Sequence, residues 1–279
     1  MIKKFFNTAF WRHHLRDALA EPMHIRAISV LVALFGGVRA KIDFDLFERR
    51  PYAFGILSAA DLAFQSGIPK IAIIEFGVAS GHGLMCMSRI ASAVSKITGI
   101  QLDVVGFDTG KGMPPAVDYR DHPEVYFEGD FAPDNLSSLI ASLPSNTKMV
   151  IGDISETVPE FVKGYDGVIG FVSVDVDYYS SAKHCLNIFT DDCNKYLPWS
   201  PVFFDDVLND SHNPWCGEKL AIAEFNTEHA LRKIAPFNAI RNKRVMKSAS
   251  WLPQMYCLHV LDHRLRSVPA NTILVPRKM

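Results

Sequence analysis

The most constraining feature of the sequence is the segment over residues 71–83, IAIIEFGVASGHG. An apolar, strand-like run leads into Glu75, and a helical pattern begins directly after the segment. Between them, small residues occupy every second position: Gly77, Ala79, Gly81 and Gly83. Small residues let the backbone turn tightly and approach a ligand closely, and the N–H groups of the following helix would face that ligand. The segment therefore predicts a nucleotide-like cofactor at the carboxyl edge of a parallel sheet.

From residue 69 onwards, strand-like and helical patterns alternate. Strands are predicted over residues 71–76, 102–108, 148–153, 167–177, 201–206 and 254–261. Helices are predicted between them, and the ambiguous stretch 235–253 leaves room for an additional edge strand. Continuously apolar strands separated by helices are typical of a parallel sheet covered on both faces. We therefore predict an α/β fold with a doubly wound, mostly parallel, Rossmann-like sheet.

The first 67 residues show helical patterns. Apolar side chains recur at helical spacing from Tyr52 to Ala63, before a Gly-Ile-Pro break. We predict an N-terminal helical cap or dimerisation region over 1–67 and an α/β domain over 68–279, which leaves a homo-oligomer open. The most apolar run, residues 27–38, is shorter than the ~20 residues that span a bilayer. A buried helix is favoured there, and a membrane-facing helix is the alternative.

Composition narrows the classes of function. Hydrophobic residues make up 48% of the chain and charged residues 21%, which favours a sizeable core over disorder. The net charge of −1 and the absence of a basic stripe do not indicate a nucleic-acid partner. Five scattered cysteines without a C-x-x-C pair are typical of reduced thiols, so we expect a cytoplasmic protein. The first residues lack the long apolar core of a secretory signal.

The spacing of the small residues narrows the choice of cofactor. Their order differs from the G-x-G-x-x-G of dinucleotide folds, although a tight turn without a ligand is an alternative. Asp108 ends the second strand, where a carboxylate can accept hydrogen bonds from ribose hydroxyls or can serve as a loop or cap residue. Asp153 ends the third strand and either approaches an adenine ring or caps the next helix. His82, inside the turn, is a candidate contact with cofactor or substrate.

Four aspartates follow two of the predicted strands. Asp175 and Asp177 end the fourth strand, and Asp205 and Asp206 end the fifth. Neighbouring parallel strands would place these ends about 5 Å apart, where carboxylates repel one another. Mg²⁺, which prefers oxygen ligands, would relieve the repulsion, whereas simple capping of helices and loops is the alternative. Because side chains alternate along a strand, only one of the first pair is expected to face the cluster, and we favour Asp175.

Together these segments resemble class I S-adenosylmethionine (SAM)-dependent methyltransferases. The resemblance is carried, in order, by IIEFGVASGHG, VVGFDTGKGMPP, VIGDISETVPEF, FVSVDVDYYSSA and FFDDV, and covers about residues 70–206. Within that superfamily they look most like the macrocin-type O-methyltransferases, which modify sugar hydroxyls and need Mg²⁺. One departure is Ala79, which stands where the motif has its central glycine.

The resemblance implies roles for individual residues. Those predicted to contact the methionine part of SAM, mostly through backbone, are Glu75, Gly77, Ala79 and Gly81. It implies that Asp108 binds the ribose and that Asp153 lies near the adenine. It further implies that the metal ligands are Asp175, Asp205 and Asp206.

The resulting expectation is an enzyme that transfers a methyl group from SAM to a hydroxyl of a small polar acceptor, such as a sugar-containing metabolite. Asp175 is expected to bind Mg²⁺ and to take the acceptor's proton, and His212 is a second candidate base. A non-catalytic SAM- or partner-binding module and a nicotinamide-dependent oxidoreductase are the alternatives, the latter disfavoured by the glycine spacing.

Overall fold

The computed structural model describes residues 16–17, 19–209 and 213–267. Its central sheet contains the strands β1 (Lys70–Phe76), β2 (Gln101–Asp108), β3 (Thr147–Ile151), β4 (Val168–Val174), β5 (Trp199–Phe204), β6 (Arg232–Pro236) and β7 (Met255–Val260). They lie in the order β3-β2-β1-β4-β5-β7-β6. Strands β1 to β5 pair in parallel, and β7 is antiparallel to both of its neighbours. The predicted mostly parallel sheet is therefore confirmed.

Helices cover both faces of this sheet. They are α1 (Met23–Phe35), α2 (Val38–Asp43), α3 (Arg50–Gln65), α4 (His82–Thr98), α5 (Leu136–Ser142), α6 (Ile154–Gly164), α7 (Tyr179–Leu186), α8 (Gly217–Glu228) and α9 (Ile240–Lys243). Alternate side chains of β1 enter different cores, because successive residues of a strand face opposite sides. Ile71 and Ile73 pack with α3 and α4, whereas Ala72 and Ile74 pack with α6, α7 and α8. This two-sided burial confirms the doubly wound α/β fold.

The helical pattern before residue 67 corresponds to α3. Its predicted inner face is fully buried and consists of Tyr52, Ile56, Ala59, Ala60 and Ala63. These side chains share one hydrophobic core with α4 and with the sheet. The last part of the N-terminal region therefore forms one of the layers of the α/β fold, while a role in dimerisation stays a prediction.

The apolar run over residues 27–38, unlike the inner face of α3, is not buried. Most of it lies in α1, which contains no buried residue, and Leu34 and Phe35 are 68% and 83% exposed. The prediction of a buried helix is wrong here, because α1 joins neither of the two hydrophobic cores. Within the described parts of the chain, no helix combines the length and the apolar character needed to cross a bilayer.

Several strands differ from the prediction at their ends, and β3 and β5 stop two residues early, at Ile151 and Phe204. β4 ends at Val174 rather than at residue 177, and Asp177 has a left-handed φ of 57° that is incompatible with a continuing strand. The additional edge strand is β6, which begins before the ambiguous stretch 235–253 and pairs along β7. The early end of β4 matters for the site, because it removes the alternation that was expected for Asp175 and Asp177.

Candidate active site

A cavity of about 360 Å³ opens where β1, β2, β4 and β5 end. Acidic side chains dominate its wall: Glu75, Asp108, Asp130, Asp175, Asp177, Asp205 and Asp206. Arg49 is the single lysine or arginine among the wall residues that the structure describes. A concave wall of one charge sign concentrates ligands of the opposite sign. The cavity is therefore suited to a cationic ligand.

Most residues predicted for the site do line this cavity. They are Glu75, Gly77, Ala79, His82, Asp108, Asp175, Asp205 and Asp206. Two predicted residues, Gly81 and Asp153, are not on the wall. Gly81 precedes α4 with a φ of 84°, and a Cβ there would lie 2.2 Å from a methyl carbon of Leu139.

Glu75, at the end of β1, is buried and has one satisfied carboxylate oxygen. Its Oε1 accepts a hydrogen bond of 2.7 Å from the hydroxyl of Tyr52, which accepts one of 3.0 Å from Ser173. Its Oε2 is buried and has no hydrogen-bond partner among the described residues. Burial raises the pKa of Glu75 to about 7, although Tyr52 and Arg49 oppose that shift. An ammonium group of a ligand would supply the missing partner.

The turn after β1 is held by a carboxylate of the next strand. The backbone N–H groups of Val78 and Ala79 each donate a hydrogen bond of 2.9 Å to Asp108 Oδ2. Gly110 N–H donates to Asp108 Oδ1 at 2.6 Å. A carboxylate offers about four acceptor sites, so Asp108 keeps capacity for a ligand. Its predicted bond to a ribose stays a prediction.

Two positions in the turn show why small residues are needed. Gly77 has a φ of 81°, and a Cβ there would lie 1.8 Å from the carbonyl oxygen of Asp175. Ala79 has a φ of 47°, which places an ordinary L-residue in the left-handed region. Such a conformation costs about 1–2 kcal/mol for a residue other than glycine. The backbone is therefore locally strained at Ala79, where this chain departs from the glycine motif.

Asp153 has the capping role that the sequence left as one of two options. It caps α6 by accepting hydrogen bonds from Ser155 N–H at 2.8 Å and from Ser155 Oγ at 2.6 Å. These bonds lower its pKa. The next residue, Ile154, is the one on the cavity wall. A place for Asp153 beside an adenine stays a prediction.

The four aspartates at the ends of β4 and β5 all line the cavity. The expectation that only one of Asp175 and Asp177 would face it is wrong, since the strand ends before both. Burial and repulsion by Asp205 raise the pKa of Asp175 well above its usual value. Burial and repulsion by Asp177 raise that of Asp206 to about 8. These carboxyls are therefore close enough to destabilise one another's charge.

The donor set of this acidic cluster suits Mg²⁺, but its spacing does not. Within residues 16–17, 19–209 and 213–267, one group of three metal-ligating atoms lies within 4.8 Å of one another. That group belongs to Glu48, His82 and Cys86, and not to the predicted ligands Asp175, Asp205 and Asp206. The oxygens of the predicted ligands are not gathered around a single ion position.

Some residues of the site belong to no sequence motif. Arg49, just before α3, faces the carboxylates, and Tyr52, Asp175 and Glu75 raise its pKa although burial alone would lower it. Glu218 of α8 is fully buried, and its Oε2 accepts a hydrogen bond of 3.0 Å from the backbone N–H of Asp206. Neither belongs to a motif, because Arg49 stands in a run of charged residues before a helix and Glu218 in the first turn of one, where charged residues are common. His212 lies outside the described residues.

The connection over residues 109–135 contributes to the cavity and is anchored to α7. Met113, Pro114 and Phe131 lie on the cavity wall. Asp121 is fully buried and accepts hydrogen bonds from both the N–H and the hydroxyl of Ser180. Ser180, in the first turn of α7, therefore holds this connection against the helix.

The strand order and the position of the cavity define a Rossmann-like α/β fold. Among solved structures, the calicheamicin methyltransferase CalS11 aligns over 90% of this chain and 91% of its own, with 21% identity and a TM-score of 0.51. The O-methyltransferase NovP aligns over 64% and 72%, with 14% identity and a TM-score of 0.48. A second structure of CalS11 is described as a TDP-rhamnose 3'-O-methyltransferase, at 20% identity over 90% and 93% and a TM-score of 0.43.

No protein-family model and no curated protein matches the chain. The similarity to CalS11 confirms the fold that the motif resemblance implied. At this level of identity it does not carry an activity over to the chain.

Proposed function

We propose that the protein is an enzyme, a SAM-dependent O-methyltransferase acting on a hydroxyl of a small polar acceptor. One observation carries the proposal. In a methyltransferase fold, an acidic cavity lies at the carboxyl edge of the sheet, and buried Glu75 directs an unpartnered oxygen beside the glycine-rich turn. SAM carries an ammonium and a sulfonium, and these positive charges match that wall.

The chain's own residues would hold SAM in a defined way. Glu75 Oε2 would accept a hydrogen bond from the ammonium, which would lower the raised pKa of this carboxyl. Gly77 has no side chain, so the turn packs directly against the carbonyl oxygen of Asp175, and its backbone lines the cavity where the methionine part would lie. Asp108 would accept from the ribose while it continues to anchor the turn. The residues of the site thus fit this cofactor.

When bound, SAM supplies a methyl group already activated by its sulfonium. The protein then has two tasks, which are to align the acceptor oxygen with the methyl–sulfur bond and to receive the hydroxyl proton. Alignment of this kind is worth up to about 7–11 kcal/mol. For the proton, we propose Asp175 as the base, because its carboxyl lies on the cavity wall and because burial and repulsion by Asp205 raise its pKa, which makes it a stronger proton acceptor. Asp177 and Asp206 line the same wall.

The acceptor we propose is a sugar or a sugar-containing metabolite. CalS11, described as a TDP-rhamnose 3'-O-methyltransferase, is a fold relative of the chain. Phe131 lies on the cavity wall and is 58% exposed, which provides an apolar surface for one face of a sugar ring. The neighbouring carboxylates can accept hydrogen bonds from the ring hydroxyls.

We also propose that Mg²⁺ binds at Asp175, Asp205 and Asp206. The ligand oxygens would have to move together on binding. Turnover in excess EDTA, compared with turnover in added Mg²⁺, measures that contribution. Equal rates would remove the metal from the proposal and leave methyl transfer intact.

Calorimetry tests the cofactor, and mass spectrometry tests the reaction. We expect heat of binding with SAM and with S-adenosylhomocysteine, and none with NAD. Binding of NAD alone would instead support the oxidoreductase alternative. Incubation with SAM and a panel of nucleotide sugars should yield a product heavier by one methyl group. Tight binding of SAM with no methylated product from any hydroxylated acceptor would support a non-catalytic binding module.

A further inference from the structure

The group of three metal-ligating atoms noted above lies beside the cavity and comes from two parts of the chain. Glu48 precedes α3, His82 is the first residue of α4, and Cys86 follows one turn later. Glu48 Oε1 lies 2.8 Å from His82 Nε2, and Glu48 Oε2 lies 3.3 Å from Cys86 Sγ. Residues four apart on a helix share a face, so α4 presents a nitrogen and a sulfur ligand to the same carboxylate.

The geometry points to a binding site for a borderline transition-metal ion, Zn²⁺ being the best fit, at Glu48, His82 and Cys86. All three ligand atoms lie within 4.8 Å of one another, which lets them share one ion. Oxygen, nitrogen and sulfur ligands together suit Zn²⁺, whereas Mg²⁺ requires oxygen. Three protein ligands leave the fourth tetrahedral position to water.

The surroundings of the site allow an ion to enter. The side chains of Glu48 and His82 are 41% and 43% exposed, so solvent reaches two of the ligands. Cys86 is buried beneath them and forms the inner end of the site. Metal binding would convert its thiol to a thiolate and release one proton to solvent.

A cationic side chain already contacts two of the three ligands in the structure. Arg89 Nη2 lies 3.1 Å from Glu48 Oε2 and 2.8 Å from Cys86 Sγ. Its side chain is 59% exposed, so it can turn outwards without disturbing the core. The carboxylate and sulfur are therefore arranged around a positive charge, and Arg89 is a competitor that a metal ion would displace.

The site adjoins the cofactor cavity through a shared residue. His82 lines the cavity as well as contacting Glu48. An ion that fixes the His82 ring would hold the first turn of α4, next to the glycine-rich turn. Binding of the metal can nonetheless be measured without SAM, so its outcome is independent of the proposed methyl transfer.

Cobalt substitution provides the direct test. Chelator-treated protein titrated with Co²⁺ should develop a thiolate-to-metal charge-transfer band, and Zn²⁺ should abolish that band by competition. Cys86→Ser should remove the band, and Glu48→Gln should weaken Zn²⁺ binding by at least about 10-fold. Cys193→Ser, on the opposite face of the sheet, is the matched control and should leave both unchanged.

Arg89→Ala should tighten Zn²⁺ binding, because it removes the competing cation. Circular dichroism confirms that each variant is folded, and Glu48→Gln keeps the test decisive if Cys86→Ser does not fold. The inference is overturned if no charge-transfer band appears, if the band persists in Cys86→Ser, or if Glu48→Gln binds Zn²⁺ as the unaltered protein does.

Discussion

In the cofactor half of the cavity, formed by the turn after β1 and Asp108, a carboxylate is satisfied by three backbone N–H groups. In the acidic half, formed by Asp175, Asp177, Asp205 and Asp206, burial raises the pKa of all four carboxyls, and repulsion by neighbouring aspartates adds to the shift for three of them, Asp175, Asp177 and Asp206. The hydrogen bonds to Asp108 fix the conformation of the turn before a ligand binds. The raised pKa values of the acidic half favour proton exchange, but burying these carboxyls together lowers the free energy of unfolding. Binding and proton transfer thus place opposite demands on the same residue type.

The largest effect is expected from Asp175→Asn in the acidic half. If Asp175 is the base, turnover should fall by about 10²–10⁴-fold, because proton acceptance is lost. The affinity for SAM should change little, since the substitution leaves the turn and Asp108 in place. Asp134→Asn, an exposed position, is the control and should leave turnover unchanged. Full turnover in Asp175→Asn would move the base to another wall residue.

Asp108→Ala tests the cofactor half. The substitution removes the acceptor for three backbone donors, so we expect SAM affinity measured by calorimetry to fall by about 10–100-fold. Asp153→Ala is the matched comparison. It should reduce the free energy of unfolding by about 1 kcal/mol through loss of the α6 cap, with little change in SAM affinity. A larger loss of affinity in Asp153→Ala than in Asp108→Ala would reverse the two assignments.

Asp206→Asn measures how much the buried carboxyls of the acidic half destabilise the folded protein. The folded-state pKa of Asp206, about 8, exceeds its usual value of 3.8, so between those pH values the folded protein retains a proton that the unfolded chain releases. This carboxyl therefore makes the free energy of unfolding fall as pH rises, by at most about 1.4 kcal/mol per pH unit. Urea unfolding from pH 5 to pH 8 should show a flatter slope for Asp206→Asn. Parallel slopes for the two proteins would contradict the raised pKa.

The smallest effect concerns backbone strain in the cofactor half. Ala79→Gly should increase the free energy of unfolding by about 1 kcal/mol or less, because glycine adopts the left-handed φ at Ala79 without penalty but loses more chain entropy. Gly81→Ala is the reciprocal variant and should be destabilising, since its Cβ would contact Leu139. Chemical denaturation measures both. Destabilisation by Ala79→Gly would show that the alanine methyl group contributes more than the strain costs.

Local sequence patterns determine the fold class of this protein and the place of many of its site residues. The apolar run of β1, the small residues after Glu75, and the acidic residues at or just after the ends of β2, β4 and β5 are local features that depend on contacts between residues a few positions apart. Such contacts are controlled by steric limits on the backbone, which the sequence expresses directly. The α/β class, the mostly parallel sheet and the place of most predicted site residues on the cavity wall could therefore be predicted.

Packing between distant segments decided the rest. Only the folded chain brings Tyr52 of α3 to Glu75, places Arg49 among the carboxylates, and puts Glu218 of α8 behind Asp206. It also ended β4 before Asp175, so that both aspartates of that pair face the cavity, and it left α1 outside the cores despite its apolar sequence. A linear pattern states which residues are apolar or charged. The tertiary structure decides which of them meet, because burial and charge neighbours depend on segments that lie far apart in the chain.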